Sequence, residues 1–387
     1  MKVGIDARLF GQTGVGVYIK NLLYQLNRLK NPGFIFYVYF LAEDIDKINL
    51  NTRLFKKKVV YERWHTLSEQ FSFWQRLYQD KLDLMHFTYF SYPVFYKRRF
   101  ISTLHDTTPL NFKTFKASTR NQLVYVLKHQ VLKYVISQQV QNAKIIITPS
   151  FTVKDQLVKI YGNKYRDKIR PIYEGVDYEL IQSSVSYPGF VSGSDMRFRN
   201  KFGMTKRDHF FIYVGNFYPH KNVENLIKAY ARVETSVKLI LIGPDDYFAS
   251  RLTRLIKQFK QENRIFIYHE PKKQDLVFFY KNALGLIHPS MSEGFGLPLL
   301  EAAYFNLPII ASRIDIFTEI LADKAVYFDP KNINEMSEKI DYFLKKKPKF
   351  DYQGLKVKFS FAKMTKAILN QYRKGVGLNH RQSYGKG

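Results

Sequence analysis

The stretch Ser290-Met291-Ser292-Glu293-Gly294-Phe295-Gly296-Leu297-Pro298-Leu299-Leu300-Glu301 decides how this chain is read. The apolar run Ala283 to Ile287 precedes it, two glycines sit inside it, and Pro298 falls where a helix would open. The segment therefore reads as strand, loop and helix N-terminus. Backbone N–H groups of Gly294, Phe295, Gly296 and Leu297 would point at an anion there, helped by the positive end of the helix dipole. Glu293 and Glu301 lie eight positions apart around that turn, where each would accept hydrogen bonds from hydroxyls. A diphosphate with a sugar at each end fits this arrangement. Two glutamates alone would be ordinary solvated charge; the spacing, the glycines and the proline together argue otherwise.

The same stretch closely resembles the E-x7-E signature of the retaining glycosyltransferases of family 4, which have the GT-B fold. The resemblance implies two Rossmann-like, doubly wound parallel-sheet domains facing a shared cleft. It also implies that Glu293 contacts the transferred sugar and Glu301 the ribose of a nucleotide.

Upstream, the apolar run Phe210 to Val214 leads into Gly215-Asn216-Phe217-Tyr218-Pro219-His220-Lys221-Asn222 and then an amphipathic helical pattern. A lysine just before a helix start supplies a full positive charge to a phosphate held at a neighbouring strand end. Many family 4 members have a Gly, a short loop and a Lys-Asn or Lys-Gly pair here, so the resemblance puts Lys221 on the donor diphosphate. Numerous members carry Arg directly after the Gly. This chain has Asn216, which leaves the second diphosphate cation unassigned. His220 would add charge only when protonated.

Near the N-terminus, Gly11-Gln12-Thr13-Gly14-Val15-Gly16 lies between a strand pattern and a helix pattern, without the G-x-G-x-x-G spacing of a dinucleotide site. A tight structural turn accounts for it as well as a ligand does. By resemblance, this loop approaches the donor phosphates and the acceptor, with Gly14 and Gly16 permitting the approach. His105-Asp106 follows the run Ile101 to Leu104 and so stands at a strand's carboxyl end. The resemblance gives His105 a hydrogen bond to the transferred sugar, and leaves Asp106 either orienting the imidazole or meeting the acceptor.

Residues 1–185 alternate apolar runs with helical patterns, as βαβ units do. Strands are expected at Val3 to Ile5, Phe34 to Leu41, Val59 to Tyr61, Leu84 to Phe87, Ile101 to Leu104 and Ile145 to Thr148, with a long helix over Asn121 to Asn142. The polar stretch Ser183 to Asp195 reads as a linker. A second alternating series over 186–360 would form the nucleotide-sugar domain. Residues 361–387 would hold a last helix, which in the GT-B family crosses back to the first domain, and a mobile polar tail from Gly375.

The 387 residues include 61 Lys and Arg against 33 Asp and Glu, a net charge of +28 shared equally by the two halves. Such a field favours nucleotide sugars, anionic lipid or nucleic acid. Residues 107–154 carry Lys113, Lys116, Arg120, Lys128, Lys133, Lys144 and Lys154 and no acid. With Lys97-Arg98-Arg99 and the aromatics Phe95, Tyr96, Phe100, Phe112 and Phe115, this region would meet an anionic membrane holding a lipid-linked acceptor; a solvated face over a core is the plainer alternative. No apolar run approaches the roughly 20 residues that span a bilayer. The N-terminus lacks a signal-peptide pattern, so a cytoplasmic location is expected, peripheral on the inner face of the membrane if the basic region binds there. The absence of cysteine excludes disulfides and thiolate metal sites.

The expectation is a metal-independent hexosyltransferase without a cofactor, taking a nucleotide sugar to a glycan or lipid-linked acceptor. Tyr218 to Asn222 and Gly4-Ile5-Asp6-Ala7-Arg8 look like mannosyltransferases of surface polysaccharide synthesis, which makes GDP-mannose the first donor and a UDP-sugar the alternative. Asp44-Ile45-Asp46 is the one D-x-D element and reads as a solvated loop. A nucleic-acid-binding protein is the rival class, but the aromatics lie inside apolar runs and no such motif occurs. A nicotinamide oxidoreductase would leave the glutamate pair unexplained.

Overall fold

A computed structural model describes residues 1–111, 122–186 and 209–378. The chain divides into two units, residues 1–174 with those from 360 onward, and residues 175–359.

The first unit is built on seven parallel strands: β1 Lys2–Asp6, β2 Ile35–Leu41, β3 Phe55–Val60, β4 Leu84–Phe87, β5 Phe100–Thr103, β6 Ile145–Thr148 and β7 Ile169–Pro171. Their order is 3-2-1-4-5-6-7. The second carries β8 Phe210–Val214, β9 Lys238–Gly243, β10 Ile265–His269, β11 Gly285–His288, β12 Ile309–Ser312 and β13 Val326–Phe328, in the order 10-9-8-11-12-13. Most strands are buried along almost their whole length, because helices cover both faces of a doubly wound sheet. Strand order reverses between β1 and β4 and again between β8 and β11, and loops at such switch points bind ligands.

β3 begins four residues before the expected start because Lys56, Lys57 and Lys58 interrupt its apolar pattern. Their charges are accommodated at the sheet edge. Lys57 donates to the carbonyls of Ile45 and Ile48, Lys58 pairs with Asp80, and Lys56 and Lys58 lie over the Tyr37 ring. The short edge strands β7 and β13 were not anticipated; β7 ends in Pro171, which an edge position tolerates.

The boundary between the units lies nearer residue 174 than 185. Asp177 caps the helix Tyr178–Val185 and ion-pairs with Lys273, drawing that helix against Lys273–Asn282 in the second unit. Residues 187–195 of the expected linker lie outside the described residues.

The last helix, Phe361–Val376, belongs to the first unit and buries Phe361, Met364, Ile368, Leu369 and Tyr372. A Cβ on Gly375 would come within 3.0 Å of the Leu84 side chain, so glycine allows the helix to sit close on β4. Tyr372 Oη and His86 Nδ1 are hydrogen-bonded at 2.8 Å, and His86 Nε2 contacts Thr103 Oγ1 at 2.8 Å. Burial, aided by His105, pushes His86 down to about 3 and keeps the ring neutral. Tyr372→Phe leaves Nδ1 unpaired in the core, which is expected to cost about 1 to 3 kcal/mol. A lower urea midpoint checks this; an unchanged midpoint would show that the bond does not hold the helix.

Candidate active site

The chemistry-bearing residues of the second unit gather at the carboxyl ends of β8 and β11, neighbours at the switch point. After β8, Gly215 adopts φ +151°, and a short helical turn Pro219–Lys221 leads to Asn222 in the left-handed region at φ +63°. Asparagine tolerates that conformation better than most residues do, which suits Asn222 to this position. The Asn222 side-chain amide donates to the carbonyls of Pro289 at 3.0 Å and Pro330 at 2.8 Å, and Met291 N–H donates to the His220 carbonyl. The loops after β8, β11 and β13 are thereby held together.

Glu293 lies in this frame. Its Oε1 accepts from Lys221 Nζ at 2.6 Å, Ser290 Oγ at 2.9 Å and His288 Nε2 at 3.1 Å. Its Oε2 has no hydrogen-bond partner among the described residues. The Lys221 and Glu293 side chains are 15% and 11% exposed, so the pair is poorly screened. Burial alone would raise the Glu293 pKa, but the Lys221 ammonium and the His288 hydrogen bond outweigh it and hold the carboxyl well below its ordinary range. His288 is stacked on Tyr213 and is kept towards its neutral form by burial, against the pull of Glu293. Sequence reading passed over His288 and Ser290; their positions at the end of β11 were the available signal.

Gly296 caps the helix Leu297–Tyr304 at φ +97°, with Pro298 in its first turn. The helix therefore opens at the predicted turn, and Glu301 lies one turn in. Tyr280 Oη donates to Glu301 Oε2 at 2.6 Å. Burial raises the Glu301 pKa and Asp177 adds to this, while the Tyr280 hydrogen bond and the Lys273 charge pull it down. The two glutamates thus occupy opposite electrostatic environments.

His220 is pushed down to about 4 by burial and the Lys221 charge, so it is neutral near pH 7 and adds no positive charge. Asn216 accepts the Tyr213 hydroxyl on its backbone carbonyl at 2.5 Å, and its buried Oδ1 has no partner among the described residues.

In the first unit, His105 has both ring nitrogens engaged: Nδ1 with Glu174 Oε1 at 3.1 Å and Nε2 with the Thr88 carbonyl at 2.9 Å. Its ring meets Tyr18 edge-on at 4.8 Å. Glu174, 69 residues away, gave no sign of this role in the sequence. Asp106 accepts from Thr108 N–H at 2.7 Å and so serves the start of the helix Thr108–Asn111.

The glycines of the first loop do different work. Gly14 has φ +67° with open space where a Cβ would be, whereas a Cβ on Gly16 would lie 2.6 Å from the Phe10 carbonyl oxygen. Gly16 is therefore required by its own turn. Asp44 is buried rather than solvated and takes Lys47 at 2.7 Å, beside Gly11. Among the described residues no group of three or more metal-ligating side chains is placed to hold an ion.

Residues 13–180 match the model of "Glycosyltransferase Family 4", and residues 194–355 that of "Glycosyl transferases group 1". The chain belongs to the family 4 glycosyltransferases. It is 27% identical over 285 residues to the O-antigen chain mannosyltransferase RfbU of Salmonella typhimurium, spanning 68% of this chain and 72% of that protein. The O-antigen chain mannosyltransferase B of Escherichia coli is 25% identical over 62% of this chain and 60% of its own length. Among solved structures, sucrose-phosphate synthase from Thermosynechococcus elongatus has a TM-score of 0.75 at 17% identity, covering 97% of this chain and 98% of that one. Anabaena HepE in complex with UDP and glucose has a TM-score of 0.72 at 15% identity, covering 97% and 100%. At these identities the structural likeness concerns the fold, which is GT-B.

Lys221→Met in this glycosyltransferase leaves a buried carboxylate without its cation and is expected to cost about 3 kcal/mol, with Glu293→Gln in the same protein recovering most of it. Because the Glu293 pKa is depressed on folding, the pair stabilises the protein above the ordinary carboxylate range and loses that contribution as pH falls below it. Thermal melting of the single and double variants at pH 7 and pH 4 measures both effects. Equal melting of Lys221→Met and the parent at pH 7 would contradict them.

Proposed function

We propose that this glycosyltransferase moves a hexose, mannose in the first instance, from a nucleoside diphosphate to a hydroxyl of a glycan or lipid-linked saccharide, with retention at the anomeric carbon. The observation that carries the reading is the pair Glu293 and Glu301 flanking one helix N-terminus. Each has one oxygen engaged by protein donors and the other without a partner among the described residues. Sugar hydroxyls would bond Glu293 Oε2, and ribose hydroxyls Glu301 Oε1.

In this reading the bond from the anomeric carbon to the diphosphate breaks with its electron pair on the phosphate oxygen. The acceptor oxygen attacks from the same face, and its proton passes to that phosphate oxygen. Charge developing on the diphosphate is met by Lys221, whose ammonium has further N–H donors beyond the one given to Glu293, and by the dipole of the helix Leu297–Tyr304. These groups do the electrostatic work, so turnover needs no divalent metal. The two O-antigen mannosyltransferase relatives favour mannose as the transferred sugar, and GDP-mannose is the donor to test first.

Hydrolysis of GDP-mannose and UDP-glucose in excess chelator tests the donor, with GDP-mannose turned over at the same rate with and without chelator. Glu301→Ala is expected to weaken GDP binding about tenfold or more, the weight of a hydrogen bond to a charged group, whereas Glu293→Ala lowers kcat and leaves GDP bound. Turnover of UDP-glucose alone, a rate restored only by Mg²⁺, or equal GDP losses in both variants would each contradict a part of this reading.

A lipid-linked acceptor is favoured by the surface of the first unit. Leu127, Val131 and Tyr134 share one face of the helix Gln122–Asn142, and all three are more than half exposed. Phe71 and Phe95 are also more than half exposed, with ring centroids 6.4 Å apart. Lys97, Arg99 and Lys128 are exposed nearby in sequence, and no acid lies between 107 and 154. Tyr96 and Phe100 are core residues and cannot insert into lipid, while Phe112 and Phe115 lie outside the described residues. No helix among the described residues is long and apolar enough to cross a membrane. Surface attachment would instead combine apolar insertion with about 1 kcal/mol per basic residue. Flotation with anionic vesicles at low salt, lost at 0.5 M salt and weakened by Leu127→Glu, is the expected result. No flotation at low salt would favour a soluble acceptor.

A further inference from the structure

Tyr280 follows Phe278 and Phe279 on the helix Lys273–Asn282, and all three side chains are buried. The Tyr280 ring stacks on Phe305, with centroids 5.5 Å apart and planes 5° from parallel. Phenylalanine would satisfy that packing equally well. What tyrosine adds is one hydroxyl, which reaches Glu301 Oε2 at 2.6 Å. A buried phenol needs a partner, and a buried carboxylate needs a donor.

We propose that Tyr280 is a positioning residue for the nucleotide: its hydroxyl holds Glu301 Oε2 so that Oε1 is presented to the ribose. The bond removes one of the two ways the carboxylate could turn and leaves a single oxygen for the ligand. Tyr280 stays protonated, because burial and the neighbouring Glu301 charge push its pKa well above the ordinary phenol value. The other charges bearing on Glu301 are those of Lys273 and Asp177, which pair with each other. Tyr280 is therefore the side chain that fixes the direction of this carboxylate. The inference rests on the reading that Glu301 takes the ribose.

The test is calorimetric titration of the full chain with GDP and with 2′,3′-dideoxy-GDP, and with UDP and 2′,3′-dideoxy-UDP in parallel, for the parent, Tyr280→Phe and Glu301→Ala. Tyr280→Phe keeps the ring and its stacking on Phe305. It is expected to weaken the ribonucleotide about five- to tenfold, the order of one hydrogen bond, and to leave the dideoxy nucleotide unchanged. A purely structural role for Tyr280 would weaken both nucleotides alike, and that result, or no weakening of either, overturns the proposal. Glu301→Ala separates the two levels. If its loss depends on the ribose hydroxyls while that of Tyr280→Phe does not, the positioning role alone fails. If Glu301→Ala affects both nucleotides equally or neither, the ribose assignment fails and the proposal with it.

Discussion

The amide of Asn222 is the constraint on which the site depends. In one left-handed residue it ends the turn that carries Lys221, starts the helix Val223–Tyr230, and bonds the carbonyls of Pro289 and Pro330. Three loops from three parallel strands are thereby held in register, and the Lys221 ammonium can meet the Glu293 carboxylate at 2.6 Å although 72 residues separate them. A buried amide with both N–H groups bonded to backbone has little freedom to relax, so the positions of lysine and glutamate follow from the scaffold. The ion pair is a consequence of this clamp.

The glutamates that bracket the helix N-terminus are alike in sequence and opposed in environment. Both are largely withdrawn from water, which alone would raise both pKa values. Glu293 faces a lysine and a histidine N–H and is held ionised. Glu301 faces a neutral phenol, with its nearest cation already engaged by Asp177, and its pKa is raised. A carboxylate fixed beside a cation suits a place near developing charge. One held by a hydroxyl suits recognition of neutral hydroxyls. The spacing of eight residues matters because one lies before the glycine turn and the other one helical turn beyond it.

What could be read from the sequence was local. The strand, glycine turn and proline-started helix around Glu293 lie within twenty residues, and Lys221 stands beside its own strand, so both loops were legible. The partners were not. Tyr280 reaches Glu301 from a different helix, Glu174 reaches His105 across 69 residues, and Asp177 reaches Lys273 across 96. No periodicity announces contacts of that kind. The domain boundary was misjudged for the same reason, since the Asp177 pairing carries the helix Tyr178–Val185 into the second unit. β3 was shortened because three lysines at a sheet edge look like a loop until their charges are seen to be satisfied. For Gly16, where the sequence left a tight turn and ligand approach equally open, the turn itself needs a glycine, because a Cβ would meet the carbonyl of Phe10.

The central claim is that the glutamate pair reads the two ends of a nucleotide sugar across one diphosphate. A crystal structure of the chain with a non-hydrolysable GDP-mannose analogue tests it most directly. The account predicts the diphosphate at the start of the helix Leu297–Tyr304 within reach of Lys221, the ribose hydroxyls on Glu301, and the sugar on Glu293. A nucleotide bound with its ribose away from Glu301, or with its diphosphate remote from Lys221, would contradict it.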